Sequence, residues 1–196
     1  MIKVQKFVLT GFTMAITSII LLLTIGNHAF AIEYTNEKCG VSIQYPKDWV
    51  AIESNYVFED KSRTISDFQS EDEDVLGLSF TIENMGLAKK SITEVSEWFR
   101  EYWVTSPESG ILSSEITEIN GFPAYEITYY EGLAGDYEFQ DEKSHTMEVV
   151  IIAYDREYVL RYEAPNKTDF DKYSSIVNEM ANSIKISKPN FEGINC

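Results

Sequence analysis

From residue 41 the chain alternates apolar and polar positions in a regular way. In VSIQYPKDWV, Val41, Ile43 and Tyr45 alternate with Ser42 and Gln44, the period of a half-buried strand. Pro46, which has no N–H to give a ladder, ends that strand. PKD reads as a turn, and a second strand starts at Trp49 and runs through Ile52. Residues 61–74, KSRTISDFQSEDED, read as a polar loop. VLGLSFTIE then returns to a period of two, with Leu76, Leu78, Phe80 and Ile82 on one face.

The period changes in SITEVSEWFREYW. Ile92, Val95, Trp98, Phe99, Tyr102 and Trp103 fall on one helical face, and Ser91 with Glu94 forms a capping box ahead of them. In EITEINGFPAYEITYY, Asn120-Gly121 predicts a tight hairpin because both residues tolerate positive φ, and Tyr125, Ile127 and Tyr129 alternate after it. TMEVVIIAYD is apolar on both faces from Val149 to Ala153, which predicts a central strand covered on both sides. Asp155-Arg156 is expected to turn the chain into EYVLRYEA, with Tyr158, Leu160 and Tyr162 on one face. A second helical stripe follows at Phe170, Tyr173, Ile176, Val177, Met180 and Ile184, with Thr168 or Asp169 as its cap. About seven strands, mostly joined as antiparallel hairpins, and two amphipathic helices imply an α+β domain: a single twisted antiparallel β-sheet flanked by helices.

Ahead of this pattern, Lys3 and Lys6 precede an almost wholly apolar stretch from Phe7 to Ile25, and the segment ends in Ala29-Phe30-Ala31. These are the marks of a secretory signal peptide over residues 1–31. An uncleaved N-terminal anchor is the alternative, because the apolar stretch approaches the length that spans a bilayer. Either way residues 32–196 form a single extracytoplasmic domain with a C-terminal tail, secreted or held on the outer face of the cell membrane. Only through an uncleaved leader would it touch the membrane.

The formal net charge is −16, and loss of Lys3 and Lys6 with the leader takes it to −18. Such a surface repels phosphate backbones, which excludes nucleic acid as a partner and favours cations or basic proteins. Cys39 and Cys196 stand near the two ends of the domain. In an oxidising compartment an internal bridge between them is the leading expectation, with a free thiol or an intermolecular bond through Cys196 as alternatives.

The chain carries no G-x-S-x-G, no phosphate-cradling glycine loop and no H-E-x-x-H, so no catalytic residue is singled out. His145 is the one histidine after the leader, too few for a histidine- or cysteine-based zinc site. No cofactor is expected, although calcium is possible at the acidic runs. Glu71, Asp72, Glu73 and Asp74 are its candidate ligands, with a second acidic run at Asp136, Glu138, Asp141 and Glu142, although neither has EF-hand spacing. Asn166-Lys167-Thr168 is an N-glycosylation sequon. Trp103, near a helix end, and Tyr130, facing away from Tyr129, are the aromatics placed to anchor a partner.

In chain order, GVSIQYPKDW, INGFPAYEITY, REYVLRYEA and FDKYSSIVNEMANSIKI resemble the opening strand and turn, the central hairpin, the last strand and the closing helix of PsbP-like domains. The resemblance spans about Gly40 to Ile186. It implies an α/β/α sandwich around an antiparallel sheet, and a role in binding rather than catalysis. In plants the family's named member is an extrinsic photosystem II subunit that helps retain calcium and chloride. The plain secretory leader and the strongly acidic surface depart from that member, and none of its functional residues carries over to a position here. The expectation is therefore an exported, non-enzymatic accessory or assembly protein that binds an envelope or extracellular protein. The alternatives are an extracellular binding module for calcium or a small ligand and, behind it, a carboxylate hydrolase.

Overall fold

The computed structural model describes residues 30–54, 63–70, 77–83, 90–105, 108–132 and 143–188. Seven strands form one antiparallel sheet: β3 (Trp49–Glu53), β4 (Arg63–Ser70), β5 (Leu78–Glu83), β9 (Arg156–Ala164), β8 (Lys143–Ala153), β7 (Phe122–Gly132) and β6 (Gly110–Ile119), in that spatial order. A smaller sheet pairs β1 (Phe30–Asn36) with β2 (Val41–Pro46) and β2 with the two-residue β10 (Lys185–Ile186). Among the described residues the helices are α1 (Ile92–Thr105) and α2 (Lys167–Ser183). This is the expected α+β arrangement, with β1, β10 and the small sheet as additions. The first strand begins at Phe30, just ahead of the expected cut after Ala31, and Ile32–Asn36 pair with Val41–Tyr45 whichever residue comes first.

One expectation is overturned. Residues 63–70, read as part of a polar loop, form β4, which pairs with both β3 and β5. Thr64, Ile65, Ser66 and Phe68 are buried, and Ser66 Oγ donates to the Ile52 carbonyl at 3.2 Å. Buried serine and threonine whose hydroxyls bond to backbone sit in a sheet at little cost, so their polarity misleads a reading that counts only apolar residues.

The turns follow local chemistry. Asn120 (φ 50°) and Gly121 (φ 87°) make the two-residue hairpin predicted for them, and the Asn120 amide also donates to the Ile184 carbonyl after α2. The β8–β9 turn falls on Tyr154 and Asp155, both at positive φ, one residue earlier than expected; Arg156 already pairs with Ala153. Gly40 lies where the chain after β10 crosses the β1–β2 turn: Ser187 N donates to its carbonyl at 2.7 Å, and a Cβ there would meet Ser187 O at 2.4 Å.

The two faces of the main sheet are covered unequally. On one, α2 packs over β8 and β9 through Phe170, Tyr173, Ile176, Val177 and Met180, and the small sheet adds Val41, Ile43 and Tyr45 over Phe68 and its neighbours. These residues form one continuous core with Leu78, Phe80, Tyr158, Leu160 and Tyr162. On the other face α1 lies over β6 and β7 and packs Val95, Phe99 and Trp103 onto Tyr125, Ile127, Tyr129, Val150 and Val159. Beside α1 the same face continues onto β5 and β9, where the pattern turns polar: Ser79, Thr81, Glu157, Arg161 and Glu163. The boundary between the covered and polar halves places the candidate site.

Candidate functional site

The Ser91–Glu94 capping box sets the start of α1. Ser91 N and Oγ both donate to Glu94 Oε2, at 2.7 and 2.8 Å, and Glu94 N donates back to Ser91 Oγ at 3.3 Å. These bonds, that from the Ser91 backbone first, hold the Glu94 carboxyl below its ordinary value. The helix buries a narrower stripe than its sequence suggests. Val95, Phe99 and Trp103 face the sheet, whereas Trp98 and Tyr102 are 42% and 52% exposed. Their rings stack on each other, centroids 5.7 Å apart and planes 18° apart.

This wall overlooks a cleft of about 400 Å³. Trp98, Phe99, Tyr102 and Trp103 line the helix side. Ser79 and Thr81 of β5, Glu157, Val159 and Arg161 of β9, Glu148 of β8 and Glu131 of β7 line the sheet side. The floor is an ordered polar network. Glu148, 6% exposed, accepts at Oε1 from the Tyr129 hydroxyl at 2.8 Å, and Arg161 Nη1 lies 3.3 Å from the same oxygen. Arg161 Nη2 donates to Glu163 Oε2 at 3.2 Å. Burial, followed by the nearby Glu148 charge, pushes the Tyr129 hydroxyl far above its ordinary range, so it remains a donor. Burial also pushes the Glu148 carboxyl up, against the pull of Arg161 and Tyr129.

The sequence placed none of these floor residues in a site. A signal was present: Glu148 sits between Met147 and Val149 and Arg161 between Leu160 and Tyr162, and the β8–β9 register sets the two charges directly opposite each other. A charge among core-facing neighbours usually has a partner across the ladder.

Trp103, expected to anchor a partner, turns inward instead. It is 9% exposed and stacked on Tyr129 at 3.8 Å, because its position on α1 points to the sheet rather than outward. Tyr130 points to the opposite face from Tyr129, as expected. It is half-buried there, with Lys143 Nζ 4.2 Å from its ring centroid and its hydroxyl against Gly110. The structure therefore does not bring Trp103 and Tyr130 together.

Asn166 is the N-cap of α2, in place of the expected Thr168 or Asp169. Its Oδ1 accepts from Asp169 N at 3.0 Å, and its Nδ2 donates to Asp169 Oδ2 at 2.7 Å. His145 packs between Tyr130 and Phe170, at the start of α2. Cys39, fully buried, sits in the β1–β2 turn beside the segment that follows the end of α2. Glu71, Asp72, Glu73, Asp74, Asp136, Glu138, Asp141, Glu142, Cys196 and nearly all of the leader lie outside the described residues. Among the described residues, no group of three or more carboxylates, histidines or cysteines is placed to hold a metal, and no helix is long and apolar enough to cross a membrane.

A model of the PsbP family matches residues 30–186. Among solved structures, the cyanobacterial PsbP (CyanoP) of Synechocystis sp. PCC 6803 superposes with a TM-score of 0.57 at 17% identity, over 84% of this chain and 96% of that one. The Ran-binding protein Mog1p of Saccharomyces cerevisiae gives 0.49 at 10% identity, over 79% and 94%. LpqN of Mycobacterium tuberculosis, described as involved in cell envelope biogenesis, gives 0.46 at 15% identity, over 76% and 83%. At such identities the likeness is one of fold. A search of curated protein sequences returns no match.

Proposed function

The chain belongs to the PsbP family, and from that premise we propose that it is a non-enzymatic accessory protein, exported to the outer side of the membrane, that binds a protein partner through the cleft beside α1. One observation carries the reading: Trp98 and Tyr102 stand stacked and exposed on the rim of a concave, ordered surface. Large rigid aromatics next to a pocket are the residues that contribute most at protein interfaces, since they bury much area for little side-chain entropy. Helix α1 is complete without them, because Val95, Phe99 and Trp103 already supply its packing.

The test is crosslinked co-purification from the native envelope fraction, with the wild-type chain and Trp98→Ala and Tyr102→Ala variants compared by mass spectrometry. A partner recovered at constant stoichiometry with the wild type and lost with both variants, at unchanged melting temperature, is the expected result. A partner retained by both variants would remove the cleft from the proposal.

Glu148 favours a second reading, hydrolysis, because a carboxyl raised by burial beside a cleft is a general-acid candidate. Against it, Oε1 is engaged by both Tyr129 and Arg161, as in a structural network. Turnover of chromogenic glycosides or esters by the wild type, abolished in Glu148→Gln, would establish that reading; no turnover by the wild type would end it.

A further inference from the structure

We propose that the cleft receives a cationic side chain, a lysine or arginine presented by a basic segment of the partner, with its charged head between the Trp98–Tyr102 stack and the Glu131 carboxylate. The inference rests on the cleft being the partner site and adds the chemistry of what enters it.

Charge selects the occupant. Glu131, Glu148 and Glu157 line the cleft, and Arg161 is the one basic side chain among its described lining residues. That guanidinium is already committed, with Nη1 on Glu148 and Nη2 on Glu163. An anionic group would enter a field of its own sign. A purely apolar group would strip water from the partly exposed Glu131 carboxylate without replacing it. A cation reverses both effects, and its attraction to the carboxylates is least screened where the cleft excludes solvent.

The aromatic wall selects in the same direction. The π faces of tryptophan and tyrosine attract an ammonium or guanidinium, tryptophan most strongly, and a guanidinium also stacks flat on them. Trp98 and Tyr102 are stacked 18° from parallel and are about half exposed. The formal charge of −16 extends the effect beyond the cleft, steering basic surfaces toward the molecule before contact.

The test uses the full purified chain and a defined probe, an acetylated hexa-arginine peptide, followed by calorimetry at moderate salt. A hexa-citrulline peptide, with the same shape and no charge, is the control. The expected result is binding of the arginine peptide only, weakened about tenfold in Trp98→Ala and in Glu131→Gln. Asp171→Asn, an exposed acid on α2 across the sheet, should change it less than about twofold. Equal weakening in Asp171→Asn would show that general surface charge accounts for the binding. Binding of the citrulline peptide, or none of the arginine peptide to the wild type, would overturn the proposal as well. If the native partner is still captured in a Trp98-dependent manner while the arginine peptide fails, only the cationic chemistry falls and the cleft stands. If Trp98-dependent capture itself fails, the underlying reading falls.

Discussion

The Tyr129 hydroxyl donates to Glu148 Oε1 at 2.8 Å while the Tyr129 ring lies stacked under Trp103 with centroids 3.8 Å apart. One side chain thus couples the packing of α1 to the polar floor of the cleft. Tyr129→Phe keeps the stack and deletes the hydrogen bond to a carboxylate, and should cost about 1.5–3 kcal/mol. Trp103→Ala deletes the stack and should cost about 3–5 kcal/mol. The double variant should cost less than the sum, because both residues act through one contact chain. Denaturant unfolding of the three variants measures this, and strict additivity would show that the helix and the floor are independent.

Glu148 gives a prediction with a definite sign. Burial raises its carboxyl above the ordinary 4.5, so between that value and the folded one the native state holds a proton that the unfolded chain has released. The contribution of Glu148 is therefore fully present below the unfolded value and is lost as pH rises through the window. Glu148→Gln removes this titration. The melting temperature of the variant relative to wild type should move in the variant's favour as pH rises through and above the ordinary carboxylate range. A relative loss over that range would mean that the attraction of Arg161 outweighs burial.

Asn166 serves as cap and belongs to a sequon, and the two roles separate by mutation. Asn166→Ala removes the acceptor for Asp169 N and should destabilise the fold by about 1 kcal/mol, equivalent to a fall of about 2–4 °C in melting temperature. Thr168→Ala destroys the sequon and leaves the cap intact, so it should leave stability unchanged. Since Nδ2 is engaged with Asp169 Oδ2, a glycan at this residue would have to displace that bond. Chain isolated from its native compartment should therefore run at its unglycosylated mass, unaltered by Thr168→Ala; a mass loss in that variant would show that glycosylation wins.

The sequence disclosed the elements whose chemistry is local. The capping box at Ser91, the Asn120-Gly121 turn, the doubly apolar run of β8 and the stripe of α2 each depend on residues a few positions apart. β4 was hidden because Thr64 and Ser66 are buried with polar side chains, and no short-range pattern separates such a strand from a loop. The width of the buried face of α1 was also hidden. Trp98 and Tyr102 share the general direction of Val95 and Phe99, but α1 covers only the β6–β7 half of the sheet, so the outer part of its apolar face meets no strand. The cleft draws on β5, β7, β8, β9 and α1 and exists only once the strand order is known, which is why its residues were absent from the expected site.

The segment after β10 makes the remaining expectation testable. Ile186 pairs with Val41 and Ser187 donates to the Gly40 carbonyl, so the chain leaves the described residues at Lys188 alongside the turn that holds Cys39. Cys196 follows eight residues later, a length that reaches at most about 27 Å and is ample to return to the same turn. A Cys39–Cys196 bridge would close almost the whole domain and, in the chain-entropy model, stabilise it by up to roughly 5 kcal/mol. Chain isolated from its native compartment should lack two hydrogens by intact mass until reduced, and Cys196→Ser should lower the melting temperature by about as much as reduction does. Cys39→Ser is the less clean variant, since that side chain is fully buried and the change also places a hydroxyl in the core. Full-mass monomer under non-reducing conditions would exclude the internal bridge, and a reducible dimer lost in Cys196→Ser would assign the thiol to an intermolecular bond instead.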